Sequence, residues 1–157
     1  MIVNVQKRGA VYAEQAYAQG KMLDHSEWDG VLPRQITPSD VDMVLDNWGR
    51  IVFVEFSREC GSWLELSIGQ RKFYQAAVGK AGRHIAALCQ HSTPVDQQVK
   101  TRTGVVSVEF MFWHNGSFRF AKGTNGHWID MVDRWYVSEL GPNQAIAYLC
   151  QNTGTLP

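Results

Sequence analysis

Hydrophobic positions along residues 40 to 57, "DVDMVLDNWGRIVFVEFS", fall into two short runs parted by a turn signal. "DVDMVLD" and "RIVFVEFS" carry the valine, isoleucine and phenylalanine of strands, and "NWG" between them has the asparagine and glycine of a hairpin turn. Alternate side chains of a strand share a face. Ile51, Phe53, Glu55 and Ser57 therefore point one way, and Val52, Val54 and Phe56 the other. Upstream, "AVYAEQAYAQGKML" (10–23) is alanine-rich and free of proline, which predicts an N-terminal helix. "DHSEWDGVLPRQITPS" (24–39), with two prolines, reads as a connector.

Downstream, Ser67 is placed to cap a helix "IGQRKFYQAAVGKA" (68–81), within which Gly69 and Gly79 are weak points. "RHIAALCQH" (83–91) is apolar throughout its centre and predicts a buried third strand. After the polar loop "STPVDQQVKTRTG" (92–104), "VVSVEFMFWH" (105–114) and "FRFAKG" flank "NGS", a second hairpin with the Asn-Gly pair of a type I′ turn. "HWIDMVDRWYVSEL" (127–140) sets Ile129, Val132, Trp135 and Tyr136 at helical spacing. "PNQAIAYLC" adds a last helix with Pro142 in its first turn. This order predicts an α/β (α+β) chain: a central mixed sheet flanked by helices, with a C-terminal hairpin and helices.

Composition narrows the class. At 157 residues, 45% hydrophobic and 19% charged, the chain can bury a real core and is not disordered. It has no apolar run of the roughly 18 to 20 residues that a membrane span needs, so no membrane partner is expected. The start has no basic stretch followed by an apolar core, and Cys60, Cys89 and Cys150 form no CxxC pair. Both features predict a cytoplasmic protein with reduced thiols and no structural zinc. The formal charge is zero, so a nucleic-acid partner would require the basic residues to gather on one face. Lys7, Arg8, Arg71, Lys72, Lys80, Arg83, Lys100 and Arg102 are available for that.

Two acids break the apolar pattern of the first hairpin. Asp42 opens the first run, Glu55 stands inside the second, and a hairpin register can set them side by side. A buried carboxylate is costly unless paired or bound to metal, and adjacent carboxylates repel unless a cation or proton intervenes. Oxygen-only donors suit Mg²⁺ or Mn²⁺, which activate water and stabilise charge on a scissile phosphate. The plain alternative is a pair of solvated acids on the wet side of an antiparallel sheet. Asp40 shares Asp42's face and competes for its place. Trp113, Phe118, Phe120, Trp128 and Trp135 fall at core positions, although aromatics can also stack on bases.

An Asp at the head of one strand, a turn, then an acid on the next strand and a following helix with Gln-x-x-x-Tyr resembles the PD-(D/E)XK (restriction-endonuclease-like) nucleases. Here those residues are Asp42, Glu55, and Gln70 and Tyr74 of "GQRKFY". The segment also looks like small phage-encoded proteins with the same hairpin and "GQ" helix. The resemblance implies a single domain over 1–157, its core about 10–91 and a C-terminal extension about 92–157. It implies hydrolysis of DNA phosphodiester bonds with Mg²⁺ or Mn²⁺ held by Asp42 and Glu55. Gln70 would orient water or phosphate, Lys72 and Tyr74 would join Arg71 in contacting nucleic acid, and Glu14 would be a further acid. A homodimer and a host cytoplasm are implied in the same way. The family's lysine, two residues after the second acid, is Ser57 here. A hydroxyl donates a hydrogen bond but carries no charge, so Arg71 is the candidate to replace the lysine in part. The departure raises a second reading: a catalytically weak or inactive nuclease-fold protein that binds nucleic acid or a partner protein, such as a phage-encoded inhibitor or accessory protein.

Overall fold

A computed structural model describes residues 41–137, 142–152 and 155–156. The predicted helix 10–23 with Glu14, the connector 24–39 and Asp40 lie outside the described residues. The chain divides into two compact units, residues 1–40 with Thr93–Gln98, and Val41–Ser92 with Val99–Pro157. In the first, the Gln97 N–H donates to the Pro94 carbonyl at 3.0 Å. The second carries the sheet.

Its elements are β1 (Met43–Asn47), β2 (Arg50–Ser57), a 3₁₀ turn (Trp63–Glu65), α1 (Ile68–Val78), β3 (Ile85–His91), β4 (Val105–His114), β5 (Ser117–Thr124), α2 (Asn125–Val137), α3 (Pro142–Asn152) and β6 (Thr155–Leu156). Among the described residues the strands form one six-stranded sheet in sequence order. All neighbours are antiparallel except β2 and β3. That parallel pair requires a crossover, and α1 supplies it. The class is α+β, a mixed sheet with helices on both faces. The 105–124 hairpin belongs to this same sheet, because β4 pairs along β3 from Phe112 opposite Ile85 to Val105 opposite His91.

The two faces are built by strand alternation. Ala86, Leu88 and Met111 pack with Trp63, Tyr74 and Val78 on the α1 side. Val52, Val54, Ile85, Ala87, Cys89, Phe110 and Phe112 pack with Trp128, Met131, Ile146 and Leu149 of α2 and α3 on the other. A strand covered on both faces has no use for polar alternation, which accounts for "IAALC". Each large side chain fully buried this way contributes about 1.5–3 kcal/mol.

Local chemistry sets the element ends. The Ser67 hydroxyl accepts the Gln70 N–H and starts α1, and Gly79, at φ +65°, ends it with its N–H donating to the Gln75 carbonyl at 3.0 Å. Asn115 and Gly116, at φ +49° and +80°, make the expected I′ turn. The first hairpin differs from its reading. Asn47 pairs with Arg50, so the asparagine ends β1 and the loop is Trp48–Gly49, at φ +55° and +83°. Trp48 thus takes the left-handed position that asparagine or glycine ordinarily fills. The Gly49 N–H donates to the Asp46 carboxylate at 2.8 Å.

Candidate functional site

The hairpin register brings the two acids together. Met43 stands opposite Val54, so Asp42, one residue before β1, arrives at the level of Glu55. The Asp42 carboxylate accepts the Phe56 N–H at 2.7 Å, which ties it to β2. Glu55 lies half-buried on the α1 side of the sheet and accepts a short hydrogen bond from the Tyr74 hydroxyl. Tyr74 is 1% exposed. Burial first, then the charge of Glu55 and its hydrogen bond, and last the charge of Asp42, push the Tyr74 hydroxyl far above its ordinary pKa. It is therefore a permanent donor, and both carboxylates act on it.

The other expected residues are placed less centrally. Gln70 is exposed in the first turn of α1, and its side-chain oxygen accepts from the Ser67 hydroxyl at 3.2 Å. Tyr74, one turn on, is the member of the Gln-x-x-x-Tyr pair that meets Glu55. Arg71 is half-buried, with an Nε that is sealed from solvent and has no hydrogen-bond partner among the described residues. Lys72 is exposed. The Ser57 hydroxyl accepts the Cys60 N–H at 2.9 Å, so it caps the turn by which the chain leaves β2.

A third acid, Glu109, is absent from the sequence reading and central to the structure. Glu55 lies opposite Leu88, Leu88 opposite Glu109, and Glu109 opposite Lys122, one row across one face. Two strand spacings put the Glu55 and Glu109 backbones about 10 Å apart. Glu109 is 1% exposed. Its Oε1 accepts the Ser62 hydroxyl at 3.1 Å and the Trp63 N–H at 2.8 Å, and its carbonyl accepts the Trp63 indole N–H at 2.8 Å. Its Oε2 makes no hydrogen bond and lies 3.8 Å from the Lys122 ammonium. The Trp63 ring rests 5.0 Å from that of Tyr74. Glu109 therefore anchors the 3₁₀ turn, Trp63 walls in Tyr74, and Tyr74 holds Glu55. The signal was available in "VVSVEFMF", an acid inside an apolar strand, the same irregularity that marks Glu55.

Beside this chain of contacts lies an open cleft of about 290 Å³ lined by Ser62, Glu65, Gln90, Ser107 and Lys122. Glu65 accepts the Gly61 and Ser62 N–H groups at 2.7 and 3.2 Å, closing a capping box with Ser62. A Cβ on Gly61 would stand 2.6 Å from the Gln90 side-chain oxygen, which itself accepts from Ser107 at 3.1 Å. A larger residue at position 61 would have to displace the end of the Gln90 side chain.

Trp128 is buried together with Met131, its indole N–H donating to the Thr101 carbonyl at 2.9 Å, whereas Ile129 and Val132 of the expected stripe are half-buried. Among the described residues no three or more His, Cys, Asp or Glu side chains gather as metal ligands. No helix among them is long and apolar enough to cross a membrane. No protein-family description, curated protein or solved structure matches the chain.

Proposed function

We propose that the chain is a metal-dependent nuclease of the restriction-endonuclease-like type, acting on DNA phosphodiester bonds. The observation that carries this reading is the register that sets Asp42 beside Glu55 on one face, under a buried tyrosine that answers to both. The succession hairpin, crossover helix, parallel strand supports the finer fold assignment. Two adjacent carboxylates are a hard, all-oxygen donor set, which fits Mg²⁺ or Mn²⁺ binding through one or two carboxylates with water in the other positions. Such an ion supplies charge stabilisation and an activated water.

The chain's own residues would divide the remaining work. Asp42 and Glu55 hold the ion. Tyr74 fixes the rotamer of Glu55 by donating to it. Gln70, exposed at the start of α1, can turn its amide to a water or a phosphate oxygen. Arg71, half-buried on that helix with an Nε lacking a hydrogen bond, is the candidate to supply the positive charge that Ser57 does not. A dimer would allow both strands of a duplex to be cut.

Ser57 supports the second reading, a catalytically weak protein of this fold that binds nucleic acid or a partner protein. Its hydroxyl is engaged by Cys60, and it brings no charge where the family's lysine stands. The deciding assay is Mg²⁺- or Mn²⁺-dependent cleavage of plasmid, single-stranded and branched DNA. Cleavage that disappears in Glu55→Ala and rises in Ser57→Lys supports the nuclease. A folded protein that cuts none of these substrates, with or without Ser57→Lys, sinks it.

A further inference from the structure

The tip of the β1–β2 hairpin presents a tryptophan to solvent. Trp48 is 94% exposed, the most exposed of the large apolar side chains among the described residues. It is also held at φ +55°, a region that a bulky side chain enters only under strain. Folding does not account for it. Asparagine or glycine would make the same turn without strain, and an indole in water adds nothing to the core. Such an outlier is retained where the side chain has something to touch.

The surroundings of Trp48 say what. Arg50 follows the turn opposite Asn47, and a terminal nitrogen of Arg83 lies 3.3 Å from where a Cβ on Gly49 would stand, so its guanidinium lies against the turn. Lys80 covers the Trp113 ring, and Trp113 is in β4 near this same end of the sheet. The acid of the tip, Asp46, already accepts the Gly49 N–H. Asp42, Glu55 and Glu109 stand about 20 Å along β2, at the other end. The tip thus sets an exposed indole beside Arg50 and Arg83, with Asp46 already engaged by the turn, while Asp42, Glu55 and Glu109 stand at the other end of the sheet. The neighbours of Trp48 are Asn47, Gly49, Arg50 and Arg83, and two guanidinium groups beside an exposed indole suit a π-face flanked by phosphates.

We propose that the β1–β2 tip is a contact site for single-stranded nucleic acid, with Trp48 stacked on one unpaired base and Arg83 and Arg50 on the adjoining phosphates. In an intact duplex the bases are already stacked on one another, so an unpaired strand is the form this tip can read. The inference deepens the nuclease reading by naming its substrate form. It uses neither Asp42, Glu55 nor a metal.

The test is fluorescence anisotropy with a labelled oligothymidylate of about 20 nucleotides, long enough for one such site, in EDTA. The wild-type chain binds it, Trp48→Ala binds about 5- to 100-fold more weakly, and Trp48→Phe keeps most of the affinity. Arg83→Gln lowers the slope of log K against log salt by about 0.7. Trp48→Asn loses the binding while its melting temperature rises, because the strain at the turn is relieved; lost binding is then not unfolding. Undetectable binding by the wild-type chain overturns the proposal, even if Trp48 proves to hold a protein. Unchanged affinity in Trp48→Ala, or an equal loss on a blunt duplex, overturns it as well. Cleavage with Glu55→Ala reports separately on the carboxylates. Trp48-dependent binding in a chain that cuts nothing leaves the tip site standing and removes the nuclease.

Discussion

Replacing Glu109 with alanine takes away the carboxylate to which Ser62 and Trp63 donate, and with it the anchor of the turn that walls in Tyr74. Two hydrogen bonds to a charged acceptor contribute roughly 3–6 kcal/mol together. Against this stands the cost of burying a carboxylate that has an oxygen with no hydrogen bond, on the order of a few kcal/mol, which the variant no longer bears. Lys122, with a side chain 56% exposed, is resolvated when its partner goes and adds little. The Trp63 N–H, however, is left buried without an acceptor, at about 1–3 kcal/mol. The net expectation is a loss of about 2–4 kcal/mol, a large share of the 5–15 kcal/mol typical of a domain. Glu109→Gln keeps an oxygen for Trp63 and sheds the buried charge, so its cost should be about 1 kcal/mol or less. Urea unfolding followed by tryptophan fluorescence measures both, with equal m-values required for the comparison. An alanine variant within about 1 kcal/mol of wild type, or a glutamine variant as costly as alanine, would refute the anchoring role.

Tyr74→Phe should keep its packing on Trp63 and lose only the bond to Glu55, for about 1 kcal/mol in the same urea assay; a loss above about 3 kcal/mol would mean that the ring itself had shifted. His84 accepts the Ile51 N–H through Nδ1, and burial, then the charge of Arg83, hold its pKa below the ordinary 6.5, with Asp46 pulling weakly the other way. Its unfolded form gains a proton before its folded form does, so the stability it contributes is whole above pH 6.5 and is lost as pH falls below it. The melting temperature should therefore drop between about pH 7.5 and pH 5, and His84→Asn, which keeps an acceptor, should flatten the drop; an undiminished slope would show the histidine to be a bystander. The residual slope belongs in part to His91, shifted the same way by burial and then by Arg58. Trp48→Asn should gain about 0.5–1 kcal/mol in urea by relieving the left-handed turn, and a loss would show the indole to be part of the fold.

Much of the fold was legible because its causes are local. Alternation in "RIVFVEFS" assigns Val52 and Val54 to one face and Phe53 and Glu55 to the other, and each is found there. An apolar run too short for a helix marked β3, a serine marked the start of α1, and Asn-Gly marked the second turn. The pairing of Asp42 with Glu55 was also within reach, since a tight turn dictates the register of the strands it joins. What the chain could not disclose was the partner of each polar group across the sheet. Glu109 meets Ser62 and Trp63, 47 and 46 residues away, only because β3 lies between β2 and β4 and α1 folds back over them. Gln70 and Tyr74 share a spacing but not a depth, and Ser57 stands where a lysine is expected yet serves the backbone of Cys60. Trp48 entered the turn because register, not composition, decided which two residues of "NWG" would form it. Periodicity acts over a few residues and sets elements and faces; which buried polar atoms meet depends on how whole strands are ordered, and that order exists only in the folded chain.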